Sequence, residues 1–176
     1  MIVNPSQVYQ LSKTGSDWAL FQTLSLQDTS LTFSGTGTIY ENTIFQLAYD
    51  AMYCYGIFFE PMPNGTWQQT QTLQLSISSP CAEVDSYSQV SVAINKGIAA
   101  VMYNLQNSGN AELGILTINE KGIWSQSASF PLTSYFYFTS PMVAIGDGIV
   151  AVQVMTQNYT SATVKKSRFF FSVIVE

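Results

Sequence analysis

The sequence has no histidine, one arginine (Arg168), and two cysteines, Cys54 and Cys81. Without imidazole there is no Ser-His-Asp or Cys-His catalysis and no zinc site built on histidine, and two thiolates cannot close a structural zinc site by themselves. Charged residues make up only 10% of the chain, against about a quarter in ordinary soluble domains. The net charge is −5, so little is available to neutralise a phosphate backbone, and nucleic acid is not an expected partner. No apolar run reaches the roughly 18 residues that a membrane helix needs. The opening MIVNPSQ has neither a basic n-region nor an apolar h-region and does not read as a signal peptide. No glycine-rich stretch follows a strand to open a helix, so no nucleotide site is expected. The eleven carboxylates include no pair set apart from ordinary turn and edge decoration. The expectation is therefore a chain that is not an enzyme, with no cofactor and no metal.

What the chain does contain is apolar and aromatic: 47% hydrophobic and 14% Phe, Trp and Tyr. Apolar residues alternate or run in short blocks, β-branched and aromatic types dominate, and turns recur, a pattern that predicts an all-β fold. One nine-residue design appears three times, as WALFQTLSL from Trp18, WQQTQTLQL from Trp67 and WSQSASFPL from Trp124. Each has apolar residues six and eight positions after the Trp. An apolar strand and a polar turn containing Gly15, Gly65 or Gly122 precede each Trp, which predicts a hairpin. A second hairpin follows, as TIYENTIFQL (38–47), VAINKGIAAV (92–101) and VAIGDGIVAV (143–152).

The unit is thus four strands, A to D, with Trp at the start of D. Repetition at this length with four strands per unit marks propeller blades. The chain divides into a partial unit 1–26, units 27–75 and 76–132, and a partial unit 133–176 within one repeat domain. That is about three and a half four-stranded antiparallel blades of a β-propeller, with a β-trefoil as the alternative. Alternation is expected to put Gln69 and Gln71 on the polar face, where substitution costs little, and to make Leu73 an anchor.

The order of apolar strand, glycine turn, Trp strand and VAIGDGIVAV resembles the FG-GAP-type repeat of integrin-α-like β-propellers. This resemblance implies a propeller with a binding or scaffolding habit. Some members of that family hold calcium on closely spaced Asp and Asn. No such spacing occurs here, and Asp147 reads as a turn residue.

The remaining candidates are few. Trp18, Trp67 and Trp124 are expected to be structural, with ligand stacking as the other use. Cys54 and Cys81 read as two reduced thiols, with a disulfide open to them if the Cα atoms lie within about 7 Å. Lys165, Lys166 and Arg168 read as charges guarding the start of an apolar strand. That strand, FFFSVIV, is uncharged and free of Pro and Gly, which makes Phe169, Phe170, Phe171, Val173, Ile174 and Val175 a candidate assembly edge. Two sequons, at Asn64 and Asn158, are glycosylation acceptors only in a secreted eukaryotic setting. A ring of three and a half blades is incomplete, so the expected partner is protein, either further copies of the chain or the remainder of a larger propeller. The functional expectation is a structural or protein-interaction module of a surface, appendage or virion assembly, extracellular or virion-associated. The alternative is a carbohydrate-binding module, with glycan as partner.

Overall fold

In the computed structural model, residues 1–4, 6–12, 14–76, 90–105, 110–133, 137–160 and 163–174 are described. Side chains are described for these except 2–4, 104–105, 110, 132–133, 137–141 and 153–174. The elements are β1 (Ile2–Asn4), β2 (Gln7–Leu11), β3 (Trp18–Thr23), β4 (Thr32–Tyr40), β5 (Thr43–Tyr49), β6 (Cys54–Pro61) and β7 (Trp67–Gln74). They continue as β8 (Val90–Asn95), β9 (Ile98–Leu105), β10 (Asn110–Ile118), β11 (Trp124–Thr133), β12 (Tyr137–Gly146), β13 (Ile149–Thr160) and β14 (Thr163–Ile174). Four separate antiparallel meanders result, in the orders β1-β2-β3, β4-β5-β6-β7, β8-β9-β10-β11 and β12-β13-β14. Each is a blade, numbered one to four below. The trefoil alternative falls, because each unit closes its own sheet. The first blade holds one strand more than the hairpin predicted about Gly15, since β1 pairs with β2 from Ile2↔Tyr9 to Asn4↔Gln7.

Turn chemistry sets the hairpins. Before each Trp the same backbone bond recurs, with Gly15 N–H donating to Ser12 O, Gly65 to Met62 O and Gly122 to Asn119 O, at 2.8, 2.8 and 2.9 Å. The three glycines sit at φ +75°, +84° and +75°, where only glycine is unstrained. Between A and B strands, Lys96-Gly97 and Asp147-Gly148 both have positive φ at their two central residues, the two-residue turn that matches strand twist. Gly97 is the tightest of these sites, because a Cβ there would meet Ile118 Cγ2 at 2.9 Å with φ +79°. Gly97→Ala should therefore lose roughly 1–2 kcal/mol in urea unfolding, more than Gly15→Ala, whose Cβ would meet nothing within 4 Å.

The blades stack face to face, and the central strands bury both faces. In β5, Ile44 and Ala48 join a core with Val8 and Leu24 of blade one. Phe45 and Leu47, on the opposite face, join a core with Val101, Leu116 and Trp124 of blade three. In β9 and β10, Ala100, Met102, Leu113 and Ile115 turn the other way, onto Val150 and Val152 of blade four. This two-sided burial is why the B and C strands read as apolar blocks, whereas the D strands alternate.

Candidate functional site: the blade junctions

The Trp strand is the outermost of each complete blade, and all three copies bend in the same place. Register shifts fall between Val8 and Tyr9, Phe58 and Phe59, and Ile115 and Leu116. The unpaired residues opposite them are Phe21, Thr70 and Ser127, each three positions after its Trp. A bulge frees one residue from the ladder and re-aims its neighbours. Two of the three use that freedom alike, since Thr70 Oγ1 donates to Phe58 O at 3.4 Å and Ser127 Oγ to Ile115 O at 3.2 Å.

The residue after the bulge reaches the next blade. Gln22 donates through Nε2 to Trp67 O at 2.7 Å, and its Oε1 accepts from Trp67 N–H at 2.7 Å. Gln71 does the same to Trp124, at 2.6 and 2.8 Å. A carboxamide matches one outward-facing backbone N–H and C=O together, so a single side chain satisfies a strand edge that would otherwise be open. A second pair runs back the other way. Gln69 Oε1 accepts from Gln27 N–H at 2.9 Å while Gln27 Nε2 donates to Gln69 O at 3.0 Å. Gln126 Oε1 accepts from Ser76 N–H at 2.7 Å and its Nε2 donates to Ser76 O at 3.3 Å. At the A–B side of blades three and four, Asn95 Nδ2 donates to Ile145 O and Val143 N–H to Ser91 Oγ, at 3.0 and 3.1 Å. Asp147 stands in that turn region, 3.7 Å from Lys96, with both side chains exposed. Such a pair contributes little.

These contacts correct two expectations. Gln69 is 7% exposed and Gln71 is half-buried, because Gln69 shares the face that Trp67 turns to blade one and the bulge at Thr70 turns Gln71 to the opposite face, onto blade three. The fully buried anchor of that strand is Leu75, with Leu73 only partly buried.

The three Trp residues do not share one environment. Trp67 and Trp124 are 6% and 3% exposed, whereas Trp18 is 47% exposed. Trp124 stacks on Phe58 with centroids 4.5 Å apart and planes 9° from parallel, and Phe58 stacks in turn on Phe45 at 4.9 Å. Rings so enclosed leave no face for a ligand, and only Trp18 keeps one. The edge candidates Phe169, Phe170, Phe171, Val173 and Ile174 lie in β14, which pairs only with β13 among the described residues. Val175 lies outside the described residues. Lys165, Lys166 and Arg168 fall within β14, opposite Asn158, Gln157 and Met155. Cys54, at the start of β6, is disulfide-bonded, and Cys81 lies outside the described residues. Asn64 caps its own turn by accepting from Thr66 N–H and Oγ1 at 3.0 and 2.7 Å.

Two titratable clusters accompany the junctions. Tyr103 is buried in the seam beside Leu75, Glu112 and Gln126. Desolvation, with the Glu112 charge second, pushes its phenol well above its ordinary value. Glu112 is 8% exposed and accepts from Ser129 Oγ. In the β5–β6 turn, Asp50 accepts from Met52 N–H, Tyr53 N–H and the Tyr55 hydroxyl, each at 2.7 Å. The Met52 amide first, then Tyr55 and Tyr53, hold its carboxyl below 3.8, and Asp50 in return pushes Tyr55 up to about 12.

A depressed carboxylate contributes stability above its unfolded pKa that is lost as pH falls through the folded value. A raised phenol contributes stability below its unfolded pKa that is lost as pH rises through the folded one. The Asp50–Tyr55 pair should therefore hold its turn fully between about pH 4 and 10, weaken above that and lose the contribution as pH rises through about 12, and lose it on the acid side as pH falls through the lowered Asp50 value. In Tyr55→Phe, ultraviolet titration should show one phenol fewer in the wave near 12. An unchanged wave would remove the pair from the account.

No protein-family model matches the chain, and no curated protein matches it. Among solved structures it is similar to a carotenoid oxygenase, a chimera of ACO and RPE65 that is a β-propeller enzyme. The TM-score is 0.51 at 11% identity, over 95% of this chain and 42% of that one. The chain thus spans less than half the length of this neighbour. At that identity the likeness shows the fold, and it agrees with stacked four-stranded blades. It also overturns the expectation that the chain is not an enzyme, since the similar propeller is one.

Proposed function

We propose that the chain is a protein-interaction module, a run of propeller blades serving as part of a larger assembly. The observation that carries this reading is the contrast among the three Trp strands. Trp67 and Trp124 are each covered by a neighbouring blade, whereas Trp18, Leu20 and Phe21 on the same kind of strand are 47%, 52% and 43% exposed. An apolar outer strand left uncovered calls for a partner. About three and a half blades also fall short of the roughly four to eight of a closed ring, and β14 offers a second edge. The FG-GAP resemblance supports the same habit. A disulfide at Cys54 supports an oxidising setting, such as a cell surface or virion.

Sedimentation of the full chain over a concentration series tests this, with a species heavier than one copy expected. Trp18 alone supports a second reading, a carbohydrate-binding module, because it presents an open aromatic face. Glycan-array binding lost in Trp18→Ala and retained in Phe130→Ala would favour it.

A further inference from the structure

The first blade departs from the other two at the positions that face outward. Where blades two and three place Gln69 and Gln126, it has Leu20, and where they place the bulge hydroxyls of Thr70 and Ser127, it has Phe21. Among the described residues no side chain holds the outward N–H and C=O of Trp18, the groups that Gln22 and Gln71 satisfy in the next two blades. Leu11, paired with Trp18 across β2 and β3, is 41% exposed as well, so apolar side chains border the open edge of β3.

From this we propose that β3 is a self-docking edge, at which two copies of the chain pair β3 against β3, antiparallel about a two-fold axis. The inference rests on the assembly reading above and names its partner. Three observations favour a second copy paired edge to edge. The stretch from Trp18 to Gln27, WALFQTLSLQ, carries no charge, so a two-fold mate meets no like-charge repulsion. An isologous contact also sets this apolar border on itself. Stacking a second copy as though it were another blade lacks its donor: Gln22 and Gln71 are engaged within their own chain, and the equivalent position in the third blade is Ala128. Antiparallel pairing needs no such side chain, because the outward N–H and C=O groups of one β3 meet those of the other.

The test is sedimentation velocity of the full chain as wild type, Leu20→Glu, Phe21→Glu and the control Ile123→Glu, each checked for native circular dichroism. Ile123 is 50% exposed on another blade. The expected result is a wild-type dimer whose dissociation constant rises at least about tenfold in both β3 variants and stays unchanged in the control. Wild-type association that survives both β3 variants overturns the self-docking edge while leaving the assembly reading in place. A chain that is monomeric at every concentration overturns both.

Discussion

Replacing Phe58 by alanine should lower the unfolding free energy by about 3–5 kcal/mol. Phe58 is 0% exposed and lies between two rings, Phe45 of its own blade and Trp124 of the next. Its removal withdraws a large apolar surface from the seam between blades two and three. It also breaks two ring contacts, each of which adds about 0.5–1.5 kcal/mol beyond area alone. The seam cannot readily collapse to fill the gap, because the backbones on both sides belong to four-stranded sheets fixed by their own ladders. Phe130→Ala is the comparison. That ring, on β11 with Trp124, is 37% exposed and should cost about 1 kcal/mol or less. Urea unfolding of both variants decides the matter: equal losses would mean that the stacked rings do not hold the two blades together. Trp124 emission should also move toward that of a solvated indole in Phe58→Ala, since its stacking partner is gone.

The sequence makes the blades legible but not their junctions, and the reason is visible in individual residues. Gly15, Gly65 and Gly122 announce turns because positive φ is a local requirement, and the Trp that follows each of them starts a strand in every case. The VAIGDGIVAV hairpin is equally local. Burial on both sides of a strand is not local. Ile44 and Phe45 are adjacent and equally apolar, and strand alternation sends them to different seams, but with no polar face in the run nothing local says that both sides are covered. Gln69 and Gln71 mislead for a related reason. Polarity suggests solvent, but alternation from Trp67 places them at shielded positions, and each carboxamide is tolerable there only because a neighbouring blade offers backbone groups, 42 residues away in sequence for Gln69 and 53 for Gln71. Parity was the available signal. Counting in twos from Trp67 reaches Gln69, Gln71, Leu73 and Leu75, the shielded positions that residue type obscured, although the bulge at Thr70 sends the Trp67 and Gln69 side to blade one and the other three to blade three. The first blade hides its extra strand because β1 is three residues long, too short for alternation to register.

Gln71→Ala should cost about 2–4 kcal/mol, because it strands two backbone groups and not one. The Gln71 carboxamide supplies both halves of the contact to Trp124, at 2.6 and 2.8 Å. No other described side chain takes its place. Trp124 is 3% exposed, so water reaches its N–H and C=O poorly once the carboxamide is gone, and each unpaired buried group costs roughly 1–3 kcal/mol. The neighbouring Gln68 is exposed, and Gln68→Ala should stay within about 0.5 kcal/mol. Gln71→Glu separates the two halves of the contact. A carboxylate still accepts from the Trp124 N–H but presents an oxygen to its C=O, so that variant should also fall below wild type at neutral pH and recover part of the difference once protonated. Amide exchange reads the contact directly. The Trp124 N–H should exchange faster in Gln71→Ala, whereas the Trp67 N–H, held by Gln22, should keep its wild-type rate. Uniform acceleration of both amides would point to general loosening of the stack, and no acceleration at Trp124 would show that the carboxamide does not hold the junction.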